Sequence, residues 1–102
     1  MHKIKFTDTK KAAELIDDGA SIGTVGFVLT CAAEEIFMEM ENRFLDTGSP
    51  KNLDIMWASG IGDGQDVRGL NHLAHDGMLN RLIGGHYGLI PKLVEVVNNN
   101  QV

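Results

Sequence analysis

The sequence predicts an α/β fold, an open and mainly parallel sheet flanked by helices. Helix-like and strand-like segments alternate in the order α-β-α-β-(loop, short α)-β-α. The strand-like segments "SIGTVGFV" and "LDIMWAS" are apolar at consecutive positions, as strands buried on both faces are. A glycine cluster follows each strand. Strands separated by helices pair in parallel through right-handed crossovers, and a sheet apolar on both sides is expected to carry helices on each.

The elements follow in order. "FTDTKKAAELIDDG" has a helix signature: Thr7 or Asp8 can cap it, Ala12, Leu15 and Ile16 form an apolar stripe, and Gly19 suits the stop. "ASIGTVGFV" predicts a buried strand running into a glycine turn. "TCAAEEIFMEMENRFLDTG" returns to helical spacing, with Thr30 as N-cap and Gly48 as stop. There Ala33, Ile36, Phe37, Met40 and Phe44 share a face, while Glu34, Glu35, Glu39, Glu41 and Arg43 look outward and Glu39 pairs with Arg43. "SPKN" is a turn, and residues 53–59 are the second strand. "LNHLAHDG" predicts a short helix ended by Gly77, and residues 80–88 a third strand. The last helix, "LIPKLVEVVNN", has Pro91 in its first turn and Leu93, Val94 and Val97 on its apolar side.

A chain of 102 residues, 43% hydrophobic and 23% charged, has the composition of one globular domain. No apolar run approaches the roughly 20 residues of a membrane span, so no membrane association is expected. "MHKIKFTDTKK" lacks the apolar core of a secretory signal. The net charge of −5 disfavours nucleic acid, whose phosphates call for Lys and Arg. Cys31 is the only cysteine, which rules out an intrachain disulfide and a CxxC metal site. A cytoplasmic location fits all of this. The ending "VEVVNNNQV" carries no polar tail, and a piece of a longer polypeptide is expected.

Ligands of open parallel sheets bind beyond the carboxyl ends of the strands. Gly23 and Gly26, then Gly60, Gly62 and Gly64, then Gly84, Gly85 and Gly88 are all expected there. Neither "GTVGFV" nor "GIGDGQ" is the dinucleotide pattern G-x-G-x-x-G leading into a helix, and no G-x-x-x-x-G-K-[ST] loop is present. His72, His75 and His86 with Asp63 or Asp66 could in principle ligate zinc, but helix capping and loop hydrogen bonding explain them more simply, and no metal is expected. Cys31, at the expected start of a helix, has a depressed-pKa reading as a nucleophile, but its "CAAEEIF" context reads as packing. The strongest local motif is "IGTVGFVLTCAAEE", a glycine turn whose main-chain N–H groups would stand at the start of a helix and favour an anion or a developing oxyanion.

From Lys11 onward the sequence resembles the amino-terminal part of a family I coenzyme A transferase and is similar to the acetate/propionate type. The pieces that carry the resemblance are "SPKNLDIMWASGIGDG", "RGLNHLAHDGMLNRLIGGHYG" and the following "IPKL", in that order and spacing. It implies a fold of the CoA-transferase and sugar-phosphate-isomerase kind, here incomplete and with an unprotected sheet edge, residues 1–102 being a truncated first domain. It implies an enzyme that moves CoA between short-chain acyl-CoA and carboxylate through a glutamyl-CoA thioester. The attacking glutamate belongs to a later motif absent here, so no catalytic residue is expected in this chain, and the chain alone would be inactive. CoA would enter as substrate with no resident cofactor. The partners implied are the remainder of the polypeptide or a second subunit, in a homo-oligomer. Gly23, Gly26 and Phe27 match the oxyanion and acyl-pocket turn, and Gly60, Gly62, Gly64, Gly85 and His86 border the crevice. The alternative is a small non-catalytic α/β module that binds an anion or a protein partner at its glycine-rich edge.

Overall fold

A computed structural model describes residues 3–102; the first two residues of the stretch read for a secretory signal lie outside these. The elements run α1 (Thr9–Glu14), β1 (Ser21–Gly23), α2 (Glu34–Thr47), β2 (Leu53–Trp57), a 3-10 helix (Gly69–Leu73), β3 (Leu79–Gly84) and α3 (Pro91–Asn98). The strands form one open parallel sheet in the order β1-β2-β3. The α/β order read from the sequence holds throughout, with boundaries that differ for identifiable reasons.

α1 starts where Asp8 accepts the Lys11 N–H at 2.8 Å, an N-cap bond. It ends at Glu14, a turn earlier than its apolar spacing predicts. Ala13 is therefore the buried residue, and Leu15, expected on the stripe, is exposed. The expected Glu39–Arg43 pair gives way to a different contact. Arg43 donates to the carbonyls of Ala13 and Ile16, at 3.2 and 2.7 Å, and so ties the end of α1 and the turn after it to α2.

α2 begins at Glu34 rather than near Thr30. Thr30 is committed to a tight turn with Phe27, and Cys31 has a positive φ of 61°, so helical geometry cannot start there. Ala33 takes the N-cap position without a side-chain bond, and Gly48 closes the helix in the left-handed conformation as its sequence position predicts. Phe37 and Met40 are buried, with Ile36 and Phe44 partly so. In α3, Leu93 and Val96 are buried and Val97 is exposed, so the apolar side lies one residue from the expected one.

The sheet is covered on one face. Leu53, Ile55 and Trp57 of β2 point into a core built with Ala13, Phe37, Met40, Leu70, Leu73 and Leu93. The register aligns Ser21 with Asp54 and Arg81, and Gly23 with Met56 and Ile83, on the opposite face. That face is open: Met56 is 56% and Ile83 48% exposed, beside the Arg81–Asp54 ion pair at 3.1 Å. Strands added successively in one direction by right-handed crossovers bring their connections to the same side. Helices on both faces, expected from the apolar strands, would need further strands on the β1 side. The first strand is also shorter than its apolar run. After Thr24, whose N–H still donates to the Met56 carbonyl at 3.0 Å, the chain leaves the ladder, and Val25 and Phe27 are exposed.

Ile55→Ala should therefore cost about 2–5 kcal/mol, as buried large-to-small changes do. Met56→Ala, one residue away on the open face, should cost less than about 1 kcal/mol. Urea unfolding of the two variants checks this, and equal losses would contradict a sheet covered on one face.

Candidate functional site

Three loops leave the carboxyl ends of the strands and are knitted together by main-chain hydrogen bonds. The Val28 N–H donates to the Gly60 carbonyl at 2.9 Å, and the Gly62 N–H returns to the Val28 carbonyl at 2.9 Å. Gly64 donates to Leu89 at 3.0 Å, and Gly85 to Trp57 at 3.3 Å. Val28 is held at a φ of 58°, a rare conformation for a β-branched residue that surrounding structure must enforce. The two bonds from the second loop do so. Gly62 is required by close approach, since a Cβ there would collide with the Leu89 carbonyl and the Ile90 side chain.

The knit leaves a cleft of about 500 Å³ at this edge, lined by Phe27, Val28, Ala58, Ser59, Gly60, His86 and Leu89. It brings together Phe27, Gly60 and His86, three residues singled out in the sequence, from three different loops. The other five lie around it. Gly26 packs against the side chain of buried Ile61, Gly62 lies inside the knit, and Gly85 bonds to β2. Gly23 ends β1 with open space where a Cβ would stand, and Gly64 turns at a φ of 82°. Ser59 and Leu89 were not singled out; Ser59 lies two residues past the end of the second strand, and nothing in the local pattern marks Leu89. A larger concavity of about 720 Å³ between α1 and α2 is lined by charged residues such as Lys10, Glu14, Glu39 and Asp46. That lining is solvated helix surface, whereas the edge cleft is mostly apolar with a few polar groups, as ligand sites are.

The glycine turn near Phe27 does not stand at a helix start. The Phe27 N–H donates to the Thr30 carbonyl at 3.0 Å, and α2 begins only at Glu34. Helix-dipole stabilisation of an anion at this turn is thereby lost, since it fades within a turn.

The histidines expected in a short helix form a clasp instead. The 3-10 helix ends at Leu73, so His72 lies within it and His75 beyond. Glu34 and Glu41, expected to face outward, turn toward them. Glu34 contacts His72 Nε2 at 2.7 Å, and Glu41 contacts His72 Nδ1 at 2.9 Å and His75 Nε2 at 2.6 Å. Glu34 also accepts the Gly69 N–H at 3.0 Å. Glu34 and Glu41 are seven apart on α2, a spacing that returns to one helix face. Among the described residues no group of His, Cys, Asp and Glu is arranged to hold a metal ion; the two imidazoles are engaged by the carboxylates. Buried Asn71 completes the anchorage. Its amide donates to the Gln65 and Arg68 carbonyls at 2.9 and 2.8 Å and accepts the Lys92 N–H at 3.0 Å. The loop that supplies Ser59 and Gly60 is thus fastened to α2 and α3.

No family model matches the chain. Individual proteins do. It is 34% identical over 84 residues to the caffeate CoA-transferase of Acetobacterium woodii, covering 82% of this chain and 16% of that protein. It is 27% identical over 103 aligned positions to the acetate CoA-transferase YdiF of Escherichia coli K12, covering 98% and 19%. The crystal structure of the acyl-CoA transferase YdiF from E. coli O157:H7, a thioester complex with CoA, superposes with a TM-score of 0.83 at 26% identity, over 94% of this chain and 20% of that one. The chain spans about a fifth of the length of these relatives.

The clasp makes stability depend on pH. Burial pushes the Glu41 carboxyl up, but hydrogen bonds from His72 and His75 and the charge on both rings outweigh it, so the group lies below the ordinary 4.5. A depressed carboxylate stabilises the fold above its unfolded value and loses that contribution as pH falls through the folded one. Glu41→Gln should therefore destabilise by about 1–3 kcal/mol at neutral pH. The gap to the wild type should shrink well below pH 4.5. Urea unfolding at both pH values measures it, and a gap independent of pH would contradict the assignment.

Proposed function

Because this chain matches CoA-transferases in sequence and fold over one segment of their length, we propose that it is the amino-terminal part of the first domain of such an enzyme. In this reading the enzyme moves coenzyme A between a short-chain acyl-CoA and a carboxylate, and the edge cleft forms a wall of the acyl site. The observation that carries the reading is the cleft, where apolar Phe27, Val28 and Leu89 stand beside Ser59, Gly60 and His86. CoA is then a substrate rather than a resident cofactor, and the rest of the polypeptide or a second subunit supplies the opposite wall. The homo-oligomeric state and cytoplasmic location are extensions of the same reading.

The chemistry needs a nucleophilic carboxylate. A glutamate attacks the thioester carbonyl, giving an acyl-glutamyl anhydride and free CoA thiolate. The thiolate then attacks the glutamyl carbonyl, releasing the first carboxylate and leaving a glutamyl-CoA thioester. An incoming acid reverses both steps and departs as the new acyl-CoA. Among the described residues no carboxylate side chain lines the cleft. Glu34 and Glu41 hold imidazoles, Glu39 lines the concavity between α1 and α2, and Glu14, Glu35 and Glu95 lie on exposed helix surface. In this reading the attacking group comes from outside residues 1–102. The contribution of Gly23, Gly26 and Phe27 is to shape the wall near the reacting carbonyl, and that of Gly60, Gly62, Gly64, Gly85 and His86 is to border it.

A carboxylate-free cleft also fits a module that only binds an anion or partner. One experiment separates the two. The polypeptide comprising this chain and the remainder of its reading frame should exchange CoA between labelled acetate or propionate and an acyl-CoA. A single glutamate outside residues 1–102 should gain the mass of CoA when acyl-CoA is added alone. Absence of exchange with every short acyl-CoA would reject the enzyme reading and leave the binding module.

A further inference from the structure

His86 sits in a cradle formed by two glycines. A Cβ at Gly60 would lie 2.7 Å from the His86 Nδ1, and one at Gly88 3.0 Å from its Cε1. The ring thus occupies space that a side chain at either position would claim. Below it the backbone is fixed, since the Trp57 indole N–H donates to the His86 carbonyl at 3.0 Å. Trp57 is itself buried and packs edge-on against Tyr87, with centroids 5.0 Å apart. The main chain is held and the imidazole is presented at the cleft surface. Of the seven lining residues only Ser59 and His86 bear polar side chains, and the others are apolar or glycine. No hydrogen bond within the chain engages the His86 ring among the described contacts, whereas His72 and His75 are both tied to carboxylates.

Resting on the CoA-transferase reading for the class of ligand, we propose that His86 orients the carboxylate of the acyl acceptor. Its imidazole N–H donates to one carboxylate oxygen, and the tail of the acid lies against Phe27, Val28 and Leu89. The lining also sets a preference. A second carboxylate laid against this wall would meet those apolar residues with no cation among the seven lining ones to pair it, and an unpaired charge against an apolar wall is strongly disfavoured. This wall therefore favours monocarboxylates with an apolar tail over dicarboxylates. His86 is a substrate-orienting group in this account and forms no covalent bond.

Two measurements test this, and they fail separately from the enzyme reading. In the longer polypeptide, His86→Ala should raise KM for propionate about tenfold, the loss expected for one hydrogen bond to a charged group, with kcat changed far less. His86→Gln, which keeps a donor, should recover part of the loss. Gly60→Ala, which displaces the ring without removing it, should mimic His86→Ala. An unchanged KM in His86→Ala would overturn the assignment while leaving the transferase activity intact. The second measurement uses the 102-residue chain with nitrogen-labelled histidine, titrated with propionate, succinate and propionamide. His86 ring signals should shift saturably with propionate and much less with the other two, while those of His72 and His75 stay in place. Equal shifts with all three compounds, or none at His86, would overturn the proposal even if the longer protein proved inactive.

Discussion

The pair of main-chain hydrogen bonds between Val28 and the Gly60–Gly62 segment holds the candidate site together. Loops at the end of a parallel sheet share no ladder with one another, and without cross-bonds each would be free to move separately. Here the Val28 N–H and carbonyl both engage the second loop, which fixes Val28 in a conformation a β-branched residue rarely adopts. The Gly64–Leu89 bond then brings in the third loop. Phe27, Gly60 and His86 face one cleft because their backbones are linked, although the first and last lie 59 positions apart in the sequence. The strain at Val28 lies beside the cleft, where a structure that over-determines its loops can hold it.

Behind the cleft, the same loop is anchored at its far end by buried and half-buried polar groups. Asn71 and the Glu34–His72–Glu41–His75 chain tie the 3-10 helix to α2 and α3. A neutral imidazole has one N–H, yet both ring nitrogens of His72 face carboxylates. Such an arrangement needs a proton beyond that of a neutral ring if both contacts are to be hydrogen bonds. Replacing a satisfied buried network with apolar groups is often neutral, while breaking one partner is costly. The clasp is thus better understood as fixing where the loop sits than as a large source of stability.

Much of the fold was legible in the sequence because it rests on periodicity. The order of elements, Asp8 as one of two candidate caps, the Gly48 stop and Pro91 in the first turn of α3 all depend on local chemistry that a sequence displays. Features that depend on distant partners were not legible. An apolar strand shows that it is buried somewhere, but the one-sided cover follows from strand order, which no local pattern in Ile55 or Met56 reveals. Glu34 and Glu41 resembled solvent-facing residues because glutamates on helices usually are, and only the placement of His72 and His75 turned them inward. At the site, the convergence of glycine-rich loops was legible from the rule that ligands lie beyond strand ends. The positive φ at Val28 and Cys31 was not, since neither residue type announces it, and that is why α2 starts later than its spacing implies.

Amide hydrogen exchange on the 102-residue chain tests the knit most directly. The N–H groups of Val28, Gly62 and Gly64, which donate to Gly60, Val28 and Leu89 across loop boundaries, should be protected to within about 1–2 kcal/mol of global unfolding, as cooperative parts of a core are. Exchange at these three positions as fast as that of open loops would mean that the loops move independently, and the cleft would lose the constraint that forms it.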